Sequence, residues 1–529
     1  MPARLAMLAP PVTSMPLSPQ SSDWQLPTGN SCVNNAWPGP RSFPATASRL
    51  GISTFIRHCK PIRPNHFHRP RPLLEPRQPT CRYIAPRSAA RDPMKTQYLR
   101  LNAAFLALVC LFVVFGNLPR FVPIAGSFGN VNASELVIYL CAAPILIKNF
   151  KRLITSRAVL FLLAVNAFSL GVGIYHYGLA LDSMFYNIRL SAMILSGFAA
   201  GVALHWIFRD DITRLTKAYV VTYGAAALFS FVLLVIYPDS TVLWLKLEQM
   251  GISFTGDPHQ FRLVSTYLDP NFFGTIIVLP ILMGTLLIQR SSYFAILLLM
   301  VIALLFSFSR SGISLALLAF ACVFGLRILS MVTQYQSKHI GVRPAHVYFL
   351  LLSPFLVLAL IYVFDSQVER VVERFTTTRD DGSALSRLRA FDTGTELIAQ
   401  HPLLGHGYNF AIRYLFKDGT KVDSSLQMVI MSYGFIGTLV TLVAGSLWAW
   451  VISGKLRQLP SPLPYLLFRK LLIYTALTLL WAGHFNQIVF YPFWLLPVLA
   501  LFFYFDQLCV SLKSPHPFRS PHGTFAHSF

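Results

Sequence analysis

Three stretches of this apolar chain hold residue types that act on anions and hydroxyls. In the first, Ser309-Arg310-Ser311-Gly312, a guanidinium stands between two hydroxyls, with almost no loop around it, at the junction of two hydrophobic runs. A charge held at a membrane surface is costly without a partner, which makes Arg310 a functional candidate; an arginine that snorkels to lipid phosphates is the plainer reading. The second stretch carries Arg387 and Arg389 on a segment that reads as a helix, with Leu388, Phe391, Leu397 and Ile398 as its apolar side. Guanidinium groups stay charged and donate several hydrogen bonds in one plane, which suits phosphate, although such a charged face is also what a solvated amphipathic helix presents. In the third, Asp423 precedes a hydrophobic run, where it is either a helix N-cap or a general base that accepts a proton from an acceptor hydroxyl. Asp269, in Asp269-Pro270-Asn271, has the same two readings, with the cap favoured.

Between the second and third stretches, His401-Pro402 and then Gly405-His406-Gly407 read as a helix end and a tight turn, because glycine permits positive backbone angles and close approach. No helical pair of histidines with a nearby carboxylate accompanies them, so turn formation is preferred to metal binding. The seven cysteines show neither a disulfide framework nor zinc-ligand spacing, and no nucleophile elbow, P-loop or dinucleotide fingerprint is present. Neither a structural metal nor a cofactor is expected.

The elements that must position these residues are membrane helices. With 54% hydrophobic and 12% charged residues in 529, the chain is too apolar for a soluble protein. Its formal charge of +23 is scattered through short connections without a basic domain, so no nucleic-acid partner is expected. The fold class expected is an all-α polytopic membrane protein. Apolar runs of about 17 to 22 residues give twelve candidate spans. They start near Leu101, Val131, Ala158, Leu190, Ala218, Asn271, Ser292, Gly312, Val347, Leu426, Leu471 and Ile488.

Lys and Arg gather in alternate connections, among them Lys148 to Arg157, Arg209 to Lys217, Arg290, Lys338, Arg343 and Lys455 to Lys470. The intervening ones hold little beyond Arg120, Arg189 and Arg310, so both termini are expected to be cytoplasmic. The organisation expected is spans one to nine over 94–364, a large outward loop over 365–425, spans ten to twelve over 426–506 and a cytoplasmic tail over 507–529. A loop of about sixty residues is far beyond the usual connection and marks a functional or disordered segment. Residues 1–93 are rich in Pro, Ser, Arg and His without apolar periodicity, and are expected to be disordered. They lack a signal peptide's apolar core, although an Arg-rich, acid-poor leader also resembles an organellar transit peptide. Met94, followed by Lys95 and an apolar run, is the expected initiator; a native peptide from upstream of it, seen by mass spectrometry, would refute this.

In their order and placement, these elements resemble the O-antigen ligase and O-antigen polymerase superfamily of bacterial inner-membrane proteins. Ser309-Arg310-Ser311-Gly312 resembles that family's element at a helix start, Arg387 with Phe391 its arginine and aromatic four residues apart, and Pro402-Leu403-Leu404-Gly405-His406-Gly407 its loop turn. The last motif departs from the ligases, which commonly begin it with His-Asn; here Asp423-Ser424 resembles the polymerase form. The resemblance implies glycosyl transfer without a metal at the periplasmic face, from an undecaprenyl-diphosphate-linked glycan, in contact with membrane lipid. It implies Arg310 and Arg387 as diphosphate clamps, Arg389 as a weaker one and Asp423 as base on the acceptor. Phe391, Gly405, His406, Gly407 and Tyr408 would line the sugar path. A chain-length regulator and a flippase are the protein partners it implies. Polymerase is the leading reading and ligase the second. A flippase or transporter is the rival from another class, and the absence of an internal repeat speaks against it.

Overall fold

The computed structural model describes residues 93–118, 133–249, 262–287, 291–334, 382–411 and 422–511, all within one unit, Pro86–Phe529. Among the described residues the secondary structure is helical, with no strand. In chain order the helices are α1 (Pro93–Phe115), α2 (Ala133–Lys148), α3 (Phe150–Thr155), α4 (Arg157–Tyr177), α5 (Leu181–Phe208), α6 (Ile212–Ile236), α7 (Ser240–Gln249), α8 (Pro270–Ile276), α9 (Val278–Gly284), α10 (Ser291–Phe306), α11 (Arg310–Gln334), α12 (Gly382–Gln400), α13 (Ser425–Arg457), α14 (Leu463–Leu480) and α15 (Pro492–Ser511).

Eight stretches of these helices are long and apolar enough to cross a membrane, while Pro270–Gly284 and Ser292–Phe306 are shorter apolar helices. The chain is therefore a polytopic helical membrane protein. The span expected from Val131 appears as α2, only 16 residues long with Pro144 inside it. The span expected from Asn271 is divided between α8 and α9; Pro280 lacks the N–H that would continue the helical ladder across the break. The span from Val347, the extension 1–92, the loop residues 335–381 and 412–421 and the tail 512–529 lie outside the described residues.

Two readings of the sequence need correction. A span starting at Leu471 and running 17 residues or more would pass through Asn486 as helix, but α14 ends at Leu480. It gives way to a 3-10 turn, Ala482–His484, and an irregular stretch to Tyr491. The second concerns Arg189, which is not in a connection. It lies inside α5, where its Nε and Nη2 donate to the two carboxylate oxygens of Glu135 on α2, both at 2.7 Å.

Among the described residues the most extensive helix packing is that of α5 on α15. Gly197 and Gly201 face α15, with Leu499 and Phe503 seated on them, and the neighbouring Ala199, Ala200 and Ala203 are buried too. In lipid there is little hydrophobic gain from helix association, so contact of this kind carries the packing instead. A Cβ on Gly201 would stand 2.5 Å from the Cβ of Phe503, and the rings of Phe198 and Phe503 meet edge to face at 5.6 Å.

Hydrogen bonds also gather particular helix ends. Asn117, just past α1, donates through Nδ2 to the Tyr267 carbonyl at 2.7 Å, ahead of α8, and to the Tyr491 hydroxyl at 2.8 Å, ahead of α15. Asp269 is the N-cap of α8, its Oδ1 accepting from the N–H groups of Asn271 at 2.7 Å and Phe272 at 3.1 Å. The cap reading of Asp269 therefore holds.

Candidate functional site

The turn after α12 is seated among membrane helices. Gly405 and Gly407 have φ of +75° and +84°, and Asn409 follows at +65°. A Cβ on Gly407 would stand 2.6 Å from the backbone of Gly173 on α4, and one on Gly405 2.5 Å from the backbone nitrogen of Gly434 on α13. Ser169 of α4 accepts from the Tyr408 N–H at 2.7 Å and donates to the Ser432 carbonyl at 3.2 Å. From α5, Asn187 donates to the Tyr408 carbonyl at 2.9 Å and Ser183 to the Asn409 carbonyl at 3.2 Å. The turn is thus held by three helices at once.

His406 is fully buried, and both ring nitrogens are engaged. Its Nε2 pairs with the Leu397 carbonyl at 2.7 Å, which makes Nε2 the protonated nitrogen and leaves Nδ1 to accept from the Tyr177 hydroxyl. Burial lowers its pKa below the ordinary imidazole value, helped by the neighbouring His401 and His176 and opposed by the Leu397 carbonyl. Tyr408 is also buried, its ring 4.5 Å from that of Phe490, and burial holds its phenol protonated well above the usual range. The structure therefore gives His406 and Tyr408 the surroundings of groups that hold the turn in place.

The Ser309-Arg310-Ser311-Gly312 element opens α11. Ser309 caps it, Oγ accepting from the Gly312 N–H at 3.1 Å, and lies 3.2 Å from the Ser311 hydroxyl. Gly312 is needed because α11 crosses α8 at contact: a Cβ there would stand 2.6 Å from the backbone carbon of Gly274. The chain reaches α11 through Phe308, which has φ of +48°, a strained value for a bulky residue. Arg262 supports this bend, donating through Nε to the Ser307 carbonyl at 3.1 Å and through Nη2 to the Phe308 carbonyl at 3.4 Å. Arg310 itself is half-buried.

The third stretch opens α13. Ser424, not Asp423, supplies the cap, accepting from the Gln427 N–H at 3.3 Å. Asp423, half-buried, stands one residue ahead of that cap. One residue further on, Ser425 donates to the Asn486 carbonyl at 2.5 Å, while the Asn486 side chain donates to the Ser311 hydroxyl at 2.9 Å. The helix start that carries Arg310 and the one beside Asp423 thus share one anchor. Gln427 extends the network to α12, donating to the Phe391 carbonyl at 2.8 Å and to Thr395 at 3.1 Å.

On α12 the expected apolar side divides. Leu397 and Ile398 pack on Ala411, Val422, Met428 and Met431, whereas Leu388 and Phe391 are 61% and 46% exposed. Arg389 is exposed; Arg387 lies on the same helix, and its side chain is outside the described residues. Arg262, Ser425, Gln427, Asn486 and Gln487 were not foreseen. The signal for the last two is Gly483-His484-Phe485-Asn486-Gln487, a polar interruption within an apolar stretch. Among the described residues no three His, Cys, Asp or Glu side chains converge as a metal site.

Residues 294–442 match the family model described as O-antigen ligase. The matched segment spans most of α10 through the first half of α13, and so takes in Arg310, the two arginines of α12, the seated turn and Asp423. This match supports the O-antigen ligase and polymerase superfamily for the chain. No curated protein and no solved structure matches it.

Proposed function

We propose that the protein polymerises undecaprenyl-diphosphate-linked oligosaccharide repeat units into O-antigen or exopolysaccharide at the periplasmic face of the bacterial inner membrane, with both termini cytoplasmic. The observation that carries this reading is the shared anchor at Asn486, which bonds the Arg310 element to the Asp423 element. The two groups that the chemistry needs, a cation for the leaving group and a carboxylate for the acceptor, stand beside the two ends of that tie.

In the reaction, an acceptor sugar hydroxyl attacks the anomeric carbon of the donor. Its proton passes to Asp423, the new glycosidic bond forms, and the bond from the anomeric carbon to the lipid diphosphate breaks. Negative charge grows on the departing diphosphate, and guanidinium groups fixed in a partly dry site stabilise it. Arg310 and Arg387 take that role, with Arg389 in support, and the exposed ring of Phe391 offers a face to the sugars. The burial and pairing of His406 favour a positioning role for it, so the reading assigns proton transfer to no histidine in the seated turn.

The second reading is a ligase that transfers a finished glycan to an acceptor, and the description of the matching family favours it. The Asp423-Ser424 pair, where ligases commonly have His-Asn, favours the polymerase. Mass analysis of undecaprenyl-linked glycans in a strain lacking the gene separates the two. Accumulated single repeat units are the expected result. Accumulated long lipid-linked polymer would instead assign the lost step to transfer.

A further inference from the structure

The connection from Trp481 to Tyr491 lies outside residues 294–442, the segment that matches the family, yet it grips both sides of the candidate site. On the Arg310 side, Asn486 Nδ2 donates to the Ser311 hydroxyl at 2.9 Å. The Trp481 indole N–H donates to Ser314 at 2.8 Å, and the Ser314 hydroxyl in turn bonds the Arg310 carbonyl at 2.7 Å. On the Asp423 side, the Gln487 amide donates to the Val422 carbonyl, and Ser425 is held between the Asn486 carbonyl at 2.5 Å and the Val489 N–H at 3.3 Å. Gly483 closes the contact, since a Cβ there would stand 3.3 Å from that of Ser425. Ser311 and Ser314, which follow Arg310, and Val422 and Ser425, which flank Asp423, are therefore fastened to one short segment.

We propose that Asn486 is a positioning residue that sets the start of α11 relative to the start of α13, and so Arg310 relative to Asp423. This rests on the glycosyl-transfer reading above. A buried amide among membrane helices is costly unless its groups are paired, and an apolar side chain of similar size would fill the same space. Its side-chain amide pairs with the start of α11 while its backbone carbonyl pairs with the start of α13, which gives Asn486 a use that packing alone does not. Donor diphosphate and acceptor hydroxyl must meet in one geometry, and misplacement by about 1 Å costs up to about a hundredfold in rate.

The test uses the full-length protein in lipid nanodiscs with an undecaprenyl-diphosphate-linked oligosaccharide as donor, following glycosidic-bond formation by mass spectrometry. Asn486→Ala and Ser311→Ala should each lower kcat by roughly 10- to 100-fold with KM for the donor little changed. The double variant should be no slower than the slower single one, because both remove the same tie. A parental rate for Asn486→Ala overturns the proposal, and so do losses that multiply in the double variant. Should Asn486→Ala fail to assemble, Trp481→Phe takes its place: the indole is 40% exposed, and the change removes only its N–H and some ring area. A several-fold fall in kcat with unchanged melting supports the segment's role in positioning, and an unchanged kcat overturns it. A parent protein that turns over no lipid-diphosphate donor refutes the functional reading and the proposal together, whereas an active parent with unaffected variants refutes the proposal alone.

Discussion

The backbone N–H of Phe435, in the middle of a membrane helix, donates to the carbonyl of Pro402 in the loop turn, at 2.8 Å. It does so because α13 is broken at Gly434, whose φ of +66° and ψ of 178° interrupt the helical ladder. The N–H of Ile436 finds the Leu403 carbonyl at 3.2 Å, and the freed Met431 carbonyl accepts from the His406 N–H at 2.7 Å. Irregular backbone within a membrane survives only where protein satisfies it. The turn from Pro402 to Gly407 supplies that partner, which gives the motif a structural task in addition to any contact with sugar.

Substituting either glycine of this contact should unseat the turn. A Cβ at Gly434 would collide with the Leu403 carbonyl, and one at Gly405 would stand 2.7 Å from the Met431 carbonyl oxygen, both at positive φ. Gly434→Ala and Gly405→Ala should each destabilise by about 2 to 3 kcal/mol or more, strain and lost hydrogen bonds combined. Melting in detergent checks this, with Gly454→Ala, which meets open space, as the control that should melt like the parent.

Seating of the turn should also depend on pH. The neutral His406 ring accepts from Tyr177 and donates to Leu397, and burial lowers its pKa below 6.5. The unfolded chain then takes up the proton more readily than the folded one. The contribution is therefore complete above about pH 6.5 and is lost as pH falls towards the lowered folded value. The His401 and His176 rings lie beside it, tilted by 35° with centroids 4.0 Å apart. Melting temperature should fall on acidification from pH 7 to pH 5, and His406→Gln should melt lower with a shallower slope. An unchanged slope in that variant would remove His406 as the titrating group.

What could be read from the sequence follows from how local each determinant is. Asp269-Pro270-Asn271 and Ser309-Arg310-Ser311-Gly312 announce helix starts within four residues, and Gly405-His406-Gly407 announces its turn. Asp423 and Ser424 are adjacent and either could cap, so the choice depended on three-dimensional approach. Arg189 reads as a connection residue because its partner, Glu135, lies 54 residues away. The Asn486 anchor was hidden because Gly483 to Gln487 falls inside a stretch that hydropathy alone joins to the helix before it. Its partners, Ser311 and Ser425, lie 175 and 61 residues away.

The Glu135 to Arg189 pair predicts a distinctive mutational pattern. Glu135 is buried and Arg189 half-buried, at 2% and 16% exposure, and their two parallel hydrogen bonds join α2 to α5, the helix that also holds the Tyr408 and Asn409 carbonyls. Glu135→Ala should cost about 3 kcal/mol, because it leaves a half-buried guanidinium without its counter-ion. Replacing both with apolar residues, Glu135→Leu with Arg189→Met, should recover most of that loss. A double variant whose loss equals the sum of the two single losses would show that the pair is not coupled.

Arg387 provides the sharpest test of the chemistry, because it shares α12 with Phe391, whose backbone carbonyl Gln427 ties to α13. If its guanidinium stabilises the departing diphosphate, Arg387→Ala should lose about a hundredfold or more in transfer rate and abolish polymer, as removal of a preorganised electrostatic contact does. The protein should still reach the membrane in normal amount, since a loop-helix cation contributes little to the packing of the spans. Lysine should rescue poorly, because an ammonium lacks the planar fork that grips two phosphate oxygens together. Arg389→Ala should show a smaller loss. Immunoblotting of membranes beside polysaccharide gels reads both quantities in one experiment, and normal polymer in Arg387→Ala would remove that residue from the site.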